Sequence, residues 1–458
     1  MDVLISNNGA NVGAIINRPQ GACESNMHKA KTIDKFPAGI ITMPPSKSQT
    51  HRAIICALLS YGETRIENIV FSRDIMATLN AVTALGGAWQ RASENAIIIE
   101  GIGDTLPKCA AEPIVINCDE SGSTLRFMLP IAAALGIPTI FTGEGRLMQR
   151  PLEPYERVFA QYGVMLERTP SSVSVRGRLT SGEYMIDGGV SSQFVSGLLF
   201  ALPLLNEDSS IVVDDGCRAR ACSRRNQLES RPYVDMTIDT LAKFSVNVQN
   251  EDYIRFKVNG KQSYNPLNQT FMIEGDYSQA AFFLAAGALG ADVACAGLSP
   301  DSLQGDRAIL DILRQMGAEV TQTQCGALKV SASELHAVDV DVSQIPDLAP
   351  PIAALMCFAH GESRILGAAR LRLKESDRIT AIAQALSALG ADIREHGDTL
   401  VINGKPSISG GNADACGDHR IAMMVALAAI RCKGKATLTG WQCVDKSYPS
   451  FWTDFGCI

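Results

Sequence analysis

The residues of this chain that can do chemistry are cations and hydroxyls set a few positions apart, with occasional carboxylates among them. Ser46-Lys47-Ser48…Arg52, Ser121-Gly122-Ser123-Thr124…Arg126 and Ser191-Ser192-Gln193 each open an apolar run. Arg150-Pro151, Ser230-Arg231-Pro232-Tyr233, Lys374-Glu375-Ser376-Asp377-Arg378, Asp418-His419-Arg420 and Lys446-Ser447-Tyr448-Pro449 add further cations. Arginine recognises phosphate and carboxylate in bidentate fashion, and lysine supplies a mobile point charge. The carboxylates beside them are Asp347, Glu375, Asp377 and Asp418. No G-x-x-x-x-G-K-[ST] loop and no G-x-G-x-x-G turn occurs, so nucleotide phosphoryl transfer and dinucleotide redox lack their fingerprints. A cationic cleft with a few carboxylates suits joining two small anions by proton transfer, without metal or cofactor.

The elements that must position these groups repeat along the chain. Six segments, starting at Ser46, Ser121, Ser191, Asp276, Asp347 and Asp418, share a polar start, an apolar helix-like run and then a short strand. Such runs are apolar on every side and read as buried helices. A second helix type alternates with them. In Asp377–Leu389, apolar Ile379, Ile382, Ala383, Leu386 and Leu389 mark one face, and a glycine follows as C-cap. In KESDR, Lys374 and Arg378 stand four apart and are expected on one helix face. Each unit reads as βαβαββ, and six units make two groups of three meeting at a cleft. Ser and Asp are ordinary N-caps, but helix N-termini also attract anions, and the shared repeat position favours an anion cradle.

Composition narrows the setting. The chain has 458 residues, 41 of them Lys or Arg against 48 Asp or Glu, for a net charge of −7. A general nucleic-acid or anionic-membrane binder would carry a basic face instead. Thirteen cysteines and six histidines lie scattered, without C-x-x-C or H-E-x-x-H spacing, so reduced thiols in the cytoplasm are expected and no metal. No stretch is apolar enough to span a membrane. Residues 1–35 lack the pattern of a signal peptide and read as a loosely ordered tail.

The motifs PSKSQTHRA, ESGSTLRF, QRPLEPY, SSQFVSGLL, SRPYVDMT, GDYSQAAFFLAAGAL, PDLAPPIAAL, KESDR, DHRIAM and DKSYPSFW resemble those of the 5-enolpyruvylshikimate-3-phosphate synthase family, in family order. The resemblance implies a two-domain inside-out α/β barrel with the chain crossing between domains twice. Residues 36–43 and 271–458 would form one domain and 44–270 the other. It implies transfer of the carboxyvinyl group of phosphoenolpyruvate to the 5-hydroxyl of 3-phosphoshikimate, with no cofactor. Carried over by motif, Lys47, Ser48, Arg52, Ser191, Ser192, Gln193, Ser230, Tyr233, Asp347 and Lys374 would hold phosphoshikimate. Lys47, Gly122, Arg150, Gln193, Arg378, Arg420 and Lys446 would hold phosphoenolpyruvate. Asp347 would be the base facing the 5-hydroxyl, Glu375 the proton donor and acceptor at the vinyl methylene, and Lys47 and His419 would assist. A cytoplasmic monomer acting on small anions, and on neither nucleic acid nor membrane, is expected.

The chain departs from the pattern in three places. Glu120 and Ser123 stand in the motif where many members have Asn-Ser-Gly-Thr, and a carboxylate there is unfavourable beside an anion unless it pairs with a cation. The segment Asp215–Leu228 is inserted before SRPY, with Arg218, Arg220, Arg224 and Arg225, and reads as a surface loop. Arg370 stands where some members carry Asn. Two other readings stay open: a related enolpyruvyl transferase acting on UDP-N-acetylglucosamine, and a non-catalytic anion-binding homologue.

Overall fold

In the computed structural model, which describes residues 30–103, 112–214 and 228–456, the apolar runs are helices buried from end to end. In Tyr277–Ala288, Ala349–Met356 and His419–Ala429 every residue is buried, and Lys47–Leu59, Gly122–Leu135 and Ser192–Ala201 are nearly so. The amphipathic helices between them include Arg73–Ala84, Arg231–Lys243 and Arg378–Ala388. Gly390, just past the last of these, takes the left-handed conformation (φ +92°) that ends a helix without Cβ strain.

Each unit builds one small sheet. Ile114–Asn117 runs parallel to Thr139–Thr142, which pairs antiparallel with Ser172–Arg176, itself paired with Met165–Arg168. The parallel pair needs a crossover, and the buried helix Gly122–Leu135 supplies it. The same strand order recurs in five four-stranded sheets. The sheets lie outside and show water one face: Val115 is 59% exposed and Ile116 is 1%. Helices inside and sheets outside give the inside-out α/β barrel, in two domains with separate cores. One core gathers Ile33, Met43 and residues from Tyr277 to Phe455, and the other runs from Ala53 to Ile273.

Two strands belong to the domain opposite the helix they precede. Gly39–Thr42 pairs with Val293–Ala296, yet leads into Lys47–Leu59 of the other core. Thr270–Met272 pairs with Glu63–Glu67, yet leads into Tyr277–Ala288. Where they cross, the Ser46 amide donates to the Glu274 carbonyl and the Asp276 amide to the Pro44 carbonyl, both at 2.8 Å. The Asp276 carboxylate caps both helices. Its Oδ1 accepts from the amides of Ser278 (2.8 Å) and Gln279 (3.2 Å), and its Oδ2 from the Lys47 amide at 3.1 Å.

Two boundaries change. Residues 31–33, read as tail, form the strand Lys31–Ile33, which pairs antiparallel with Ala436–Thr439 and completes the last, three-stranded sheet. Buried Ile33 anchors it in the core, and the Lys31 ammonium lies over the rings of Trp441 and Trp452 at 4.8 and 5.2 Å. Residues 271–273 go with the preceding segment, because Phe271 and Ile273 fill its core. Residues 1–29 and 215–227, which hold the rest of the tail and nearly all of the Arg-rich insert, lie outside the described residues.

Asp276→Ala removes two helix caps at once and should lower unfolding free energy by about 2 kcal/mol, at roughly 1 kcal/mol per cap. Urea denaturation followed by circular dichroism measures it, and Asp276→Asn should recover part of the loss.

Candidate active site

Five of the six repeated starts cap their helices as their types predict. Ser46, Ser121, Ser191, Asp276 and Asp418 each accept from an amide two or three residues on. The sixth, Asp347, sits in a one-turn 3-10 segment, Pro346–Leu348, and makes no cap bond. Its carboxylate turns into the interdomain cleft. There Oδ1 meets Arg378 Nη1 at 2.8 Å and Lys374 Nζ at 3.6 Å, and Oδ2 meets Arg420 Nη2 at 3.1 Å. The Tyr233 hydroxyl, from the other domain, reaches Asp347 Oδ2 at 3.4 Å and Asp306 Oδ2 at 3.3 Å.

Arg378 organises this wall. Only 2% exposed, it places Nε on Asp418 (2.7 Å), Nη1 on Asp347 and Nη2 on Glu375 (2.7 Å). Glu375 also takes Arg150 Nη2 from across the cleft at 3.1 Å. Lys374 and Arg378 do not share a helix face, because Asp377 is the N-cap of Arg378–Ala388 and Lys374 lies in the extended chain before it. They converge on Asp347 through that loop instead. Arg372 ties its base down, bonding Asp377, Glu395 and Asp398 at 2.7–2.9 Å.

The opposite wall is built from helix starts. Lys47 Nζ pairs with buried Asp74 at 2.8 Å. Arg52, buried, donates to Thr237 and to the carbonyls of Ser48 and Tyr233 at 2.7–2.8 Å. Arg126 Nη1 donates to Gln193 Oε1 at 2.7 Å, which leaves the Gln193 amide to donate to Ser123 Oγ at 3.0 Å. A Cβ at Gly122 would stand 2.7 Å from Nη1 of Arg150, so glycine lets that guanidinium lie against the helix start. Arg370 crosses the cleft to Glu229 and to Ser230 Oγ, both at 3.2 Å, and Ser230 holds the left-handed conformation (φ +56°).

Sixteen of the expected residues line this one cleft: Lys47, Ser48, Arg52, Gly122, Arg150, Ser191, Ser192, Gln193, Ser230, Tyr233, Asp347, Lys374, Glu375, Arg378, His419 and Arg420. Lys446 stands behind Glu120, its Nζ 3.0 Å from Oε2, so that carboxylate does pair with a cation. Asp74, Arg126, Gln279 and Arg370 also line the cleft and were not among the expected site residues. The signal for Asp74 was its place in the first turn of an amphipathic helix, where Arg378 also sits.

Charge balance sets the proton affinities. Burial alone would raise the Asp347 carboxyl, but Arg420, Lys374 and Arg378 outweigh it and hold it well below the usual carboxylate range. Glu375 is likewise held well below, with Arg150 and Arg378 overcoming burial. Burial works against the Lys47 ammonium, yet Asp74 leaves its pKa raised. Burial wins at Lys374, which falls to about 8 despite Asp347. Burial, then Lys47 and Arg420, hold the His419 imidazole neutral, and neither ring nitrogen has a hydrogen-bond partner among the described residues. The cleft thus holds ionised carboxylates, paired cations and one neutral imidazole. That set can bind two anions and move protons between them. Among the described residues no group of three or more His, Cys, Asp or Glu is arranged for a metal ion, and no helix is long and apolar enough to cross a membrane.

Known proteins are similar to this chain over most of its length. The 3-phosphoshikimate 1-carboxyvinyltransferase of Clostridium kluyveri is 45% identical over 419 residues, covering 91% of this chain and 94% of that protein. The Clostridium perfringens enzyme is 43% identical over 422 residues. The solved structure of EPSP synthase from Acinetobacter baumannii superposes with a TM-score of 0.74 at 25% identity, covering 93% of this chain and 96% of that one. The enolpyruvyl transferase NikO from Streptomyces tendae shares the fold, with a TM-score of 0.72 at 16% identity. The family model described as EPSP synthase (3-phosphoshikimate 1-carboxyvinyltransferase) matches residues 33–455, and the chain belongs to that family.

Proposed function

We propose that this cleft transfers the carboxyvinyl group by a division of labour between its two walls. The observation that carries the reading is Asp347, a carboxylate released from capping and met by three cations. Phosphoshikimate lies on Ser48, Arg52, Ser191, Ser192, Gln193, Ser230, Tyr233 and Lys374. Phosphoenolpyruvate lies on Lys47, Gly122, Arg150, Gln193, Arg378, Arg420 and Lys446. The domains, 31–43 with 274–456 and 44–273, close over both and exclude water. The enzyme works as a cytoplasmic monomer on these two small anions, not on nucleic acid or membrane.

The steps balance without a cofactor. Glu375 takes up a proton from solvent once Arg150 and Arg378 engage the substrates; the 5-hydroxyl oxygen then attacks C2 of phosphoenolpyruvate while Asp347 takes its proton, and Glu375 delivers its own to the methylene carbon, making a methyl group. In the tetrahedral intermediate, C2 carries both the shikimate oxygen and the phosphate. Glu375 then takes a proton back from the methyl group as the C2–O bond to phosphate breaks. Lys47, Arg378 and Arg420 face the charge that develops on the leaving phosphate. His419, held neutral, helps place the Glu375 proton. The cations that depress Asp347 and Glu375 are the ones the substrates engage. Substrate binding therefore raises the basicity of both carboxylates at the moment they are used.

Supplying both substrates should release inorganic phosphate, and a folded protein that releases none overturns the reading. UDP-N-acetylglucosamine in place of phosphoshikimate should give no turnover. Asp347→Ala should keep the fold and lose about three orders of magnitude in kcat, within the range for losing a general base. Lys374 must be protonated to hold an anion, and its pKa is lowered to about 8. Affinity for phosphoshikimate is therefore full below that value and falls as the proton leaves. KM for phosphoshikimate should rise about tenfold between pH 7 and pH 9, one decade per unit above the pKa. Lys374→Arg should flatten that rise.

A further inference from the structure

The cations assigned to phosphoenolpyruvate are all paired with carboxylates of the protein, but one partner differs from the rest. Lys47 rests on buried Asp74, and Arg150, Arg378 and Arg420 rest on Glu375 and Asp347, which take part in the chemistry. Lys446 rests on Glu120, which comes from the opposite domain and has no step in the reaction. Lys446 is buried at 7% side-chain exposure, whereas Glu120 is 31% exposed on the cleft wall. The acidic neighbours Asp119 and Glu144 are taken by Arg73, at 2.7 and 3.1 Å. Among the described residues, Lys446 is the cation in ion-pair contact with Glu120. The Glu120 carboxylate lies against Gly145, which has φ +56°.

We propose that Glu120 is an internal competitor for the phosphoenolpyruvate subsite. Its carboxylate pairs with Lys446, lowers affinity for phosphoenolpyruvate, and weakens the hold on the phosphate left behind. An ionised carboxylate is an acceptor-only anion, as are the carboxylate and phosphate of the substrate, so all three seek the same ammonium. If Glu120 withdraws when substrate enters, its ion pair is lost; if it stays, its charge repels the incoming anion. Both routes act in the same direction. The proposal rests on the assignment of Lys446 to phosphoenolpyruvate.

The test compares wild type, Glu120→Gln and Lys446→Met in steady-state turnover, with inorganic phosphate as product inhibitor. Glu120→Gln keeps size and shape while removing the charge. It should lower both KM for phosphoenolpyruvate and the inhibition constant of phosphate by about tenfold, a modest electrostatic coupling. KM for phosphoshikimate should stay within about twofold, and the gain should shrink between about 0.05 and about 0.5 M salt as screening grows. An unchanged or raised KM for phosphoenolpyruvate in Glu120→Gln, with Lys446→Met raising it, overturns the competitor role and leaves the assignment of Lys446 standing. An unchanged KM in Lys446→Met overturns the assignment, and the competitor role with it.

Discussion

The cleft depends on the crossing of two chain segments. The strands Gly39–Thr42 and Thr270–Met272 each pair in the domain opposite the helix they lead into. The domains are therefore joined where the helices Lys47–Leu59 and Tyr277–Ala288 begin. Asp276 holds that point by capping both helices with one carboxylate. A cap satisfies amides that have no partner within their own helix. Here those amides belong to different domains, so the capping energy also sets the relative position of two catalytic walls. Lys47 is the first residue of one of those helices, which places a substrate cation at the joint. Away from the joint the walls meet through side chains: Arg150 with Glu375, Lys446 with Glu120, and Arg370 with Glu229.

Those contacts follow from an electrostatic requirement. A cleft that binds two multiply charged anions must carry many cations, and buried cations without partners are costly. The protein meets the requirement with its own carboxylates, among them Asp74, Asp347, Glu375 and Glu120. Arg378 and its neighbours hold Asp347 and Glu375 well below the usual carboxylate range, so the proton affinity of both is tied to what those cations engage. Several of these pairs cross between the domains, so the cleft is also part of what holds them together.

Much of this was legible in the sequence. The six helices carry almost no polar residue after the first turn, and no amphipathic surface position suits such a run, so burial followed. The family motifs then named sixteen of the residues lining the cleft. What escaped depended on contacts between segments far apart in the chain. Asp74 looked like an ordinary first-turn acid until Lys47 was set beside it. Lys31–Ile33 is too short to read as a strand and gains its place from Ala436–Thr439 and the two tryptophans. Thr270–Met272 is equally short, and which sheet takes it is decided by Phe271 and Ile273 finding room in one core. The placement of Lys374 went astray for a local reason: four-residue spacing implies a shared helix face only if the helix has begun, and Asp377 starts it later.

The repeat also explains why Asp347 is available for chemistry. All six units carry a Ser or Asp at the same position, and at five of them the side chain is spent on its own helix. At the sixth, Pro346 comes before the aspartate and Pro350-Pro351 follow, in the first turn of Ala349–Met356. Proline has no amide hydrogen, so two of the donors a cap would serve do not exist. Three residues later, a capping side chain at Asp347 would find Pro350 instead of an N–H, and two residues later only Ala349, whose amide already bonds the Pro346 carbonyl. The helix start has been relieved of its need for a cap, and a carboxylate without local donors turns toward the cations of Arg378 and Arg420. The prolines of PDLAPP thus do as much to turn the Asp347 carboxylate into the cleft as the arginines that receive it.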